Sequence, residues 1–140
     1  MKKDFWKHLP KPIVGLAPMD GYSDSAFRRV CRAVNPNIVT VTEFTSADGL
    51  SFGAERLKQK LAFHPSENPV FAQIFGKNTE TFILATKVCE DMGFAGIDIN
   101  MGCPAKKVVK SEHGVALRKN TEAACRLVEA VANNTDLPVS

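Results

Sequence analysis

The sequence predicts an α/β fold of the (β/α)8 TIM-barrel type, present as its N-terminal portion only, about strands 1 to 4 and the start of strand 5. Three observations carry this reading. Short apolar or β-branched runs alternate with helical repeats along all 140 residues. Polar or reactive residues gather directly after those runs. The alternation reaches only a fifth run, whereas a whole barrel takes about 250 residues.

The first strand is Ile13–Ala17, a continuous apolar run ended by Pro18, as expected of a parallel strand buried on both faces. Residues 20–24 then supply turn chemistry and a helix cap. Phe27, Val30, Cys31 and Val34 recur at helical spacing until Asn35-Pro36-Asn37 breaks the pattern. Ile38–Thr42 is a β-branched second strand. Ser46 to about Leu61 is helical, with Gly49 and Gly53 as weak points, and Val70–Phe75 is a third strand. Thr79 is expected to cap a helix carrying Phe82, Ile83, Thr86, Cys89 and Glu90, which ends near Gly93. Gly96–Asn100 is a fourth strand. Thr121 to about Asn134 is a helix with Cys125, Val128 and Val131 on one face, and Leu137–Ser140 opens a fifth strand.

Strand–helix alternation gives right-handed βαβ units and a parallel sheet, either an open doubly wound sheet or a closed barrel. Periodicity does not choose between them. The barrel is favoured by Pro18-Met19-Asp20 after the first strand, Glu43 after the second, Gln73 late in the third and Asn100 to Cys103 after the fourth. Barrel enzymes place their active sites at that carboxyl end. A partial barrel exposes strand edges, so the isolated chain is expected to be marginally stable, aggregation-prone or paired with another copy.

Composition excludes several classes. With 44% hydrophobic and 24% charged residues the chain belongs with globular domains and not with disordered tails. No apolar run approaches the ~20 residues of a spanning helix, and no apolar signal core follows Met1, so neither a membrane partner nor export is expected. Cys31, Cys89, Cys103 and Cys125 lie far apart, without metal-ligand spacing or disulfide pattern; this reads as a cytoplasmic protein with no metal. The net charge of +3 is mild and says little about nucleic acid.

The most informative segment is Asn100-Met101-Gly102-Cys103-Pro104-Ala105-Lys106-Lys107-Val108, which follows a buried strand. Gly102 would permit a tight path and Pro104 would stiffen the exit, holding one sulfur at a fixed place near a ligand. A free cysteine is commonly a small core residue. Here the position on a loop at the barrel mouth favours a reactive role.

This segment resembles the signature of the tRNA-dihydrouridine synthases. Residues 17–28, from Ala17-Pro18-Met19-Asp20-Gly21-Tyr22 to Phe27-Arg28, are similar to the family's first-strand motif, and residues 71–76 to its third-strand motif. Residues 41–50 resemble its second-strand exit. The resemblance runs from about residue 12 to the last residue.

The resemblance implies an FMN-binding catalytic barrel that reduces uridine in tRNA to 5,6-dihydrouridine, with NADPH or NADH as reductant. It implies that Cys103 delivers a proton to C5 while reduced FMN delivers hydride to C6. Asn100 and Lys107 would meet the substrate. Pro18, Met19 and the backbone around Asp20 would pack on the flavin ring, and Gln73 would bond its polar edge. On residue chemistry alone, Met19 could equally be core filler and Gln73 could equally satisfy a strand end. Lys106, Lys107, Lys110, Arg118 and Lys119 are candidate tRNA contacts, against the alternative of a solvated basic surface. Arg28, Arg29 and Arg32, on an outer-ring helix, are expected to be solvated.

The family's fifth-strand lysine and arginine, its later histidine, its phosphate-binding loops and its C-terminal helical domain lie outside these residues. Residues 112–117, Glu-His-Gly-Val-Ala-Leu, replace a stretch often rich in glycine and serine. Activity of the 140 residues alone is not expected. Two other readings stay open: an FMN-dependent dehydrogenase of a free pyrimidine, and a non-catalytic RNA-binding fragment.

Overall fold

The computed structural model describes residues 4–105, 110 and 113–140. Five short strands form one parallel sheet: β1 (Gly15–Leu16), β2 (Val39–Val41), β3 (Thr45–Ser46), β4 (Val70–Phe75) and β5 (Gly96–Ile99). β2 and β3 both lie beside β4, pairing with its first and last residues, so they are two stretches of one barrel strand. The break at 42–44 lets the Thr42 hydroxyl accept the Gln73 N–H at 3.0 Å. Past β5, Val139 bridges to Ile97 in parallel. Spatial neighbours therefore follow chain order throughout, with no reversal of the kind that marks a doubly wound sheet. This is the strand order of a (β/α)8 barrel through the opening of its fifth strand.

The two faces of the sheet differ because strand side chains alternate. Val70, Ala72 and Ile74 of β4 and Ile97 and Ile99 of β5 face the helices and join Phe82, Ala85, Cys89, Leu127 and Val131 in one buried core. Phe71, Gln73, Gly96 and Asp98 lie on the opposite, interior face. Phe71 is covered there by Phe5 and Trp6 of α1 (Phe5–His8), at centroid distances of 5.3 and 5.2 Å. A Cβ on Gly96 would come within 2.4 Å of the Phe71 ring, so only glycine admits that ring at the sheet.

The helices follow their capping chemistry. Asp24 accepts from the Phe27 N–H at 2.9 Å and opens α2 (Ser25–Val34). The helical stretch expected from Ser46 to Leu61 divides into α3 (Ala47–Ser51) and α4 (Glu55–Leu61), because Gly53 takes φ 76 and turns the chain. α5 (Thr79–Asp91) is capped by Asn78, whose side chain accepts from Glu80 and Thr81, and not by Thr79. α6 (Thr121–Asn133) buries Ala124, Leu127 and Val131; Cys125 and Val128, expected on the packed face, are exposed.

α2 departs most from expectation. Phe27, Val30 and Val34 are exposed, while Arg28 is buried in a 2.6 Å ion pair with fully buried Glu67. Arg28 also donates to the Ser23 carbonyl at 2.8 Å, and Glu67 accepts from the Ser25 hydroxyl and the His64 N–H. Arg32 donates to the carbonyls of Pro36 and Ile38, leaving Arg29 as the exposed member of the three. No helix among the described residues is long and apolar enough to cross a membrane.

Candidate active site

The carboxyl ends of the strands open on a cavity of about 680 Å³. Its walls include Pro18 and Asp20 after β1, Phe44 between β2 and β3, Gln73 of β4, Asp98 and Ile99 of β5, and Asn100 to Ala105 after it. Each lies at or just past a strand end, because parallel strands that start together at the amino side deliver their following loops to one mouth.

Hydrogen bonds order the floor. Gln73 and Asp98 are register partners on β4 and β5. The Gln73 Nε2 donates to Asp98 Oδ2 at 2.6 Å, and Asn100 Nδ2 donates to Gln73 Oε1 at 2.9 Å. Asn100 Oδ1 then accepts the N–H groups of Cys103 and Gly102 at 3.1 and 3.3 Å. Through these bonds the strand ends dictate the path of the Gly-Cys-Pro turn. The carbonyl of Cys103 accepts from Val115, tying the turn to the 3-10 segment Gly114–Lys119. The Cys103 side chain is half-buried beside the cavity.

The β1 side is held differently. Ser23, fully buried, accepts the Met19 N–H at 2.7 Å and donates to the Met19 carbonyl at 3.1 Å. Asp20 pairs with Lys60 at 2.8 Å, and Glu43 accepts from Gly21 at 2.8 Å. Lys60 lies 5.5 Å from the centroid of the Phe44 ring.

Of the residues singled out from the sequence, the structure brings Pro18, Asp20, Gln73, Asn100 and Cys103 to one cavity. Met19 is not on its wall; its side chain is exposed, and its backbone is what the Ser23 hydroxyl binds. Lys107, with Lys106, lies outside the described residues. Lys110, Arg118 and Lys119 are exposed. Asp98 was not anticipated. It occupies an inward position of β5 in register with Gln73, and a lone acid in an otherwise apolar strand was the signal that could have marked it. The turn at Gly102 does not itself demand glycine: among the described residues nothing beyond its chain neighbours lies within 4 Å of where its Cβ would stand, and its φ is not left-handed. Its bare backbone lines the cavity instead.

Comparison with known proteins assigns the chain to a family. The family model described as dihydrouridine synthase (Dus) matches residues 15–140. The chain belongs to the dihydrouridine synthase family. Relatives include a protein named "Probable tRNA-dihydrouridine synthase" from Staphylococcus epidermidis, 37% identical over 142 aligned positions, and one of the same name from Staphylococcus aureus at 36%. "Probable tRNA-dihydrouridine synthase 2" of Bacillus subtilis is 35% identical. Each alignment takes in all of this chain and 43% of the relative, so the chain spans less than half the length of these curated relatives. Their family is built on a TIM barrel, and the five-strand order described above is its N-terminal part.

Proposed function

We propose that these residues form the cysteine-bearing part of a tRNA-dihydrouridine synthase that uses FMN and NADPH or NADH. The single observation that carries the reading is the Cys103 turn, fixed by Asn100 at the wall of a cavity that Pro18 and Gln73 also line. The relatives' names supply the substrate class: tRNA.

The cavity's chemistry fits a flavin ring. Phe44 and Pro18 offer apolar walls, the bare backbone of Gly102 leaves room for a flat group, and the amides of Gln73 and Asn100 present polar edges. Pro18 and the backbone around Asp20 would hold one side of the ring, with Met19 acting through its backbone and Gln73 meeting the polar edge. When bound, reduced FMN supplies hydride for C6 of the uracil.

The chain's own residues supply the rest. Cys103 donates a proton from its thiol to C5, and its turn sets the sulfur's distance and angle. Asn100 orients the base. A uridine in folded RNA must leave its stack to reach the cavity, at a cost of a few kcal/mol, and Lys107, Lys110, Arg118 and Lys119 would offset that cost through the phosphates. All of these act in a cytoplasmic enzyme, and the 140 residues alone are expected to lack turnover because the cradle for a flavin phosphate lies outside them.

The test is dihydrouridine content of tRNA from cells whose protein carries Cys103→Ala. Loss of the modification is expected. Unchanged dihydrouridine, with the protein present at parental level, would remove Cys103 from the mechanism.

A further inference from the structure

Asp98 sits at the root of the hydrogen-bonded chain that ends on the Cys103 turn. Its two oxygens are both used: Oδ2 accepts from Gln73 Nε2 at 2.6 Å and Oδ1 accepts from the Ser140 hydroxyl at 2.8 Å. A carboxylate accepts hydrogen bonds and donates none, whereas an amide can present either end. The Gln73 nitrogen is therefore the only end that can face Asp98, which sends Gln73 Oε1 toward Asn100. Against that oxygen Asn100 must turn its own nitrogen, at 2.9 Å. Only Asn100 Oδ1 is then left for the N–H groups of Cys103 and Gly102. Turning either amide over would set oxygen against oxygen at one contact and N–H against N–H at the next.

We infer that Asp98 is a positioning residue: it fixes the donor–acceptor direction of the Gln73–Asn100 pair and thereby aims the Cys103 turn. The Cys103 and Gly102 N–H groups ask the same direction of Asn100 from the other end, so the pair is held between the carboxylate and the turn. Gln73 is nearly buried and is a β4 register partner of Asp98, so the carboxylate acts at a contact the sheet itself holds in place. The consequence for proton donation rests on the function proposed above, but the relay itself does not.

The test reads the thiol directly in the 140-residue chain, with Cys31 and Cys125 changed to serine. Cys89 is buried in the core and stays silent. Iodoacetamide alkylation of Cys103 is then timed. Asp98→Asn can present either end to Gln73, so the turn loosens and alkylation quickens by about threefold or more. Asn100→Ala removes the last link and gives the same rate, and combining the two changes nothing further. The exchanged pair, Asp98→Asn with Gln73→Glu, again points an acceptor-only group at Asn100 and brings the rate back to within about twofold of the parent.

Parental alkylation in folded Asp98→Asn overturns the inference, as does full additivity with Asn100→Ala. If Asp98→Asn does not fold, the exchanged pair is compared with Gln73→Glu alone, which sets two carboxylates face to face. A parental rate in the pair and a disturbed one in the single variant supports the relay, and equal disturbance of both defeats it. No flavin, NADPH or tRNA enters this assay, so its failure is separate from failure of the proposed reaction.

Discussion

The two sides of the cavity are built to different standards. On the β4–β5 side each strand has a neighbour on both edges, and both Gln73 and Asn100 hold partners through each end of their amides. On the β1 side, Gly15 and Leu16 pair, among the described residues, only with β2, and the preceding Ile13 and Val14 are exposed. The helix that follows displays Val30 at 62% and Val34 at 82% exposure. The difference has a plain cause: a parallel strand is aimed by the two strands beside it, and among the described residues β1 has one. What steadies the β1 loop lies behind the sheet, where Glu67 holds Arg28, Arg28 holds the Ser23 carbonyl, and Ser23 holds the Met19 backbone.

Breaking that support should have the largest effect. Arg28→Ala leaves Glu67 fully buried and without its cation, a loss of about 3–5 kcal/mol for a pair of this kind. Arg29→Ala, one residue along the same helix but exposed, should stay within about 0.5 kcal/mol. Urea unfolding of the two variants reads the contrast, and equal midpoints would mean that the ion pair does not anchor this side. The matched test for the ordered side is Gly96→Ala. Its Cβ would meet a Phe71 ring already enclosed by Phe5 and Trp6, an overpacking cost of about 1–3 kcal/mol in the same measurement.

The same contrast explains what could be read from the sequence. Elements whose partners are local were legible: Val70–Phe75 is a buried strand because five of its six residues are apolar, and Asp24 caps the helix that begins at the next residue. Pro18, Gln73, Asn100 and Cys103 were legible as one mouth because the topology puts strand ends together. Residues whose partners are distant were not. Nothing near Arg28 in sequence announces Glu67, 39 positions on, so the arginine read as solvated. Nothing near Asp98 announces that Gln73 will lie beside it. On α6 the helical repeat left its phase open, since Ala124 and Leu127 make as good a stripe as Cys125 and Val128. Phe27, Val30 and Val34 do form an apolar stripe, but no described residue covers it.

A smaller effect sharpens the comparison through pH. The Cys89 thiol, in the core behind β4, is pushed up from 9.0 to about 12, first by burial and then by the Glu90 carboxylate. Between about pH 9 and 12 the unfolded chain releases this proton while the folded chain keeps it, so the unfolded state binds fewer protons and stability falls as pH rises, by at most about 1.4 kcal/mol per unit. Below about pH 9 both states keep the proton and the thiol gives no slope. Urea midpoints at about pH 8 and about pH 10 should fall further for the parent than for Cys89→Ala. Equal falls would mean that the core opens enough around α5 to ionise the thiol without unfolding.

The smallest change in stability should accompany the clearest change in assembly. Val30 and Val34 stand on the solvent side of α2, so Val30→Glu with Val34→Glu removes no packing from the core and should leave the urea midpoint within about 0.5 kcal/mol of the parent. Among the described residues the parent presents an unpaired strand edge at Gly15–Leu16 and an apolar helix stripe, and both are surfaces that recruit other chains. Sedimentation velocity over a range of concentrations should show the parent self-associating and the double variant shifted toward monomer. If the parent is a monomer at every concentration, the β1 edge is protected by its own short length. If both associate equally, the contact runs through the strand edge and not through α2. A proline at Gly15 separates a strand-edge contact from a helix contact: the Val14 carbonyl accepts from Val39 of β2, so the Gly15 N–H faces the open edge, and proline removes it while leaving the helix stripe intact.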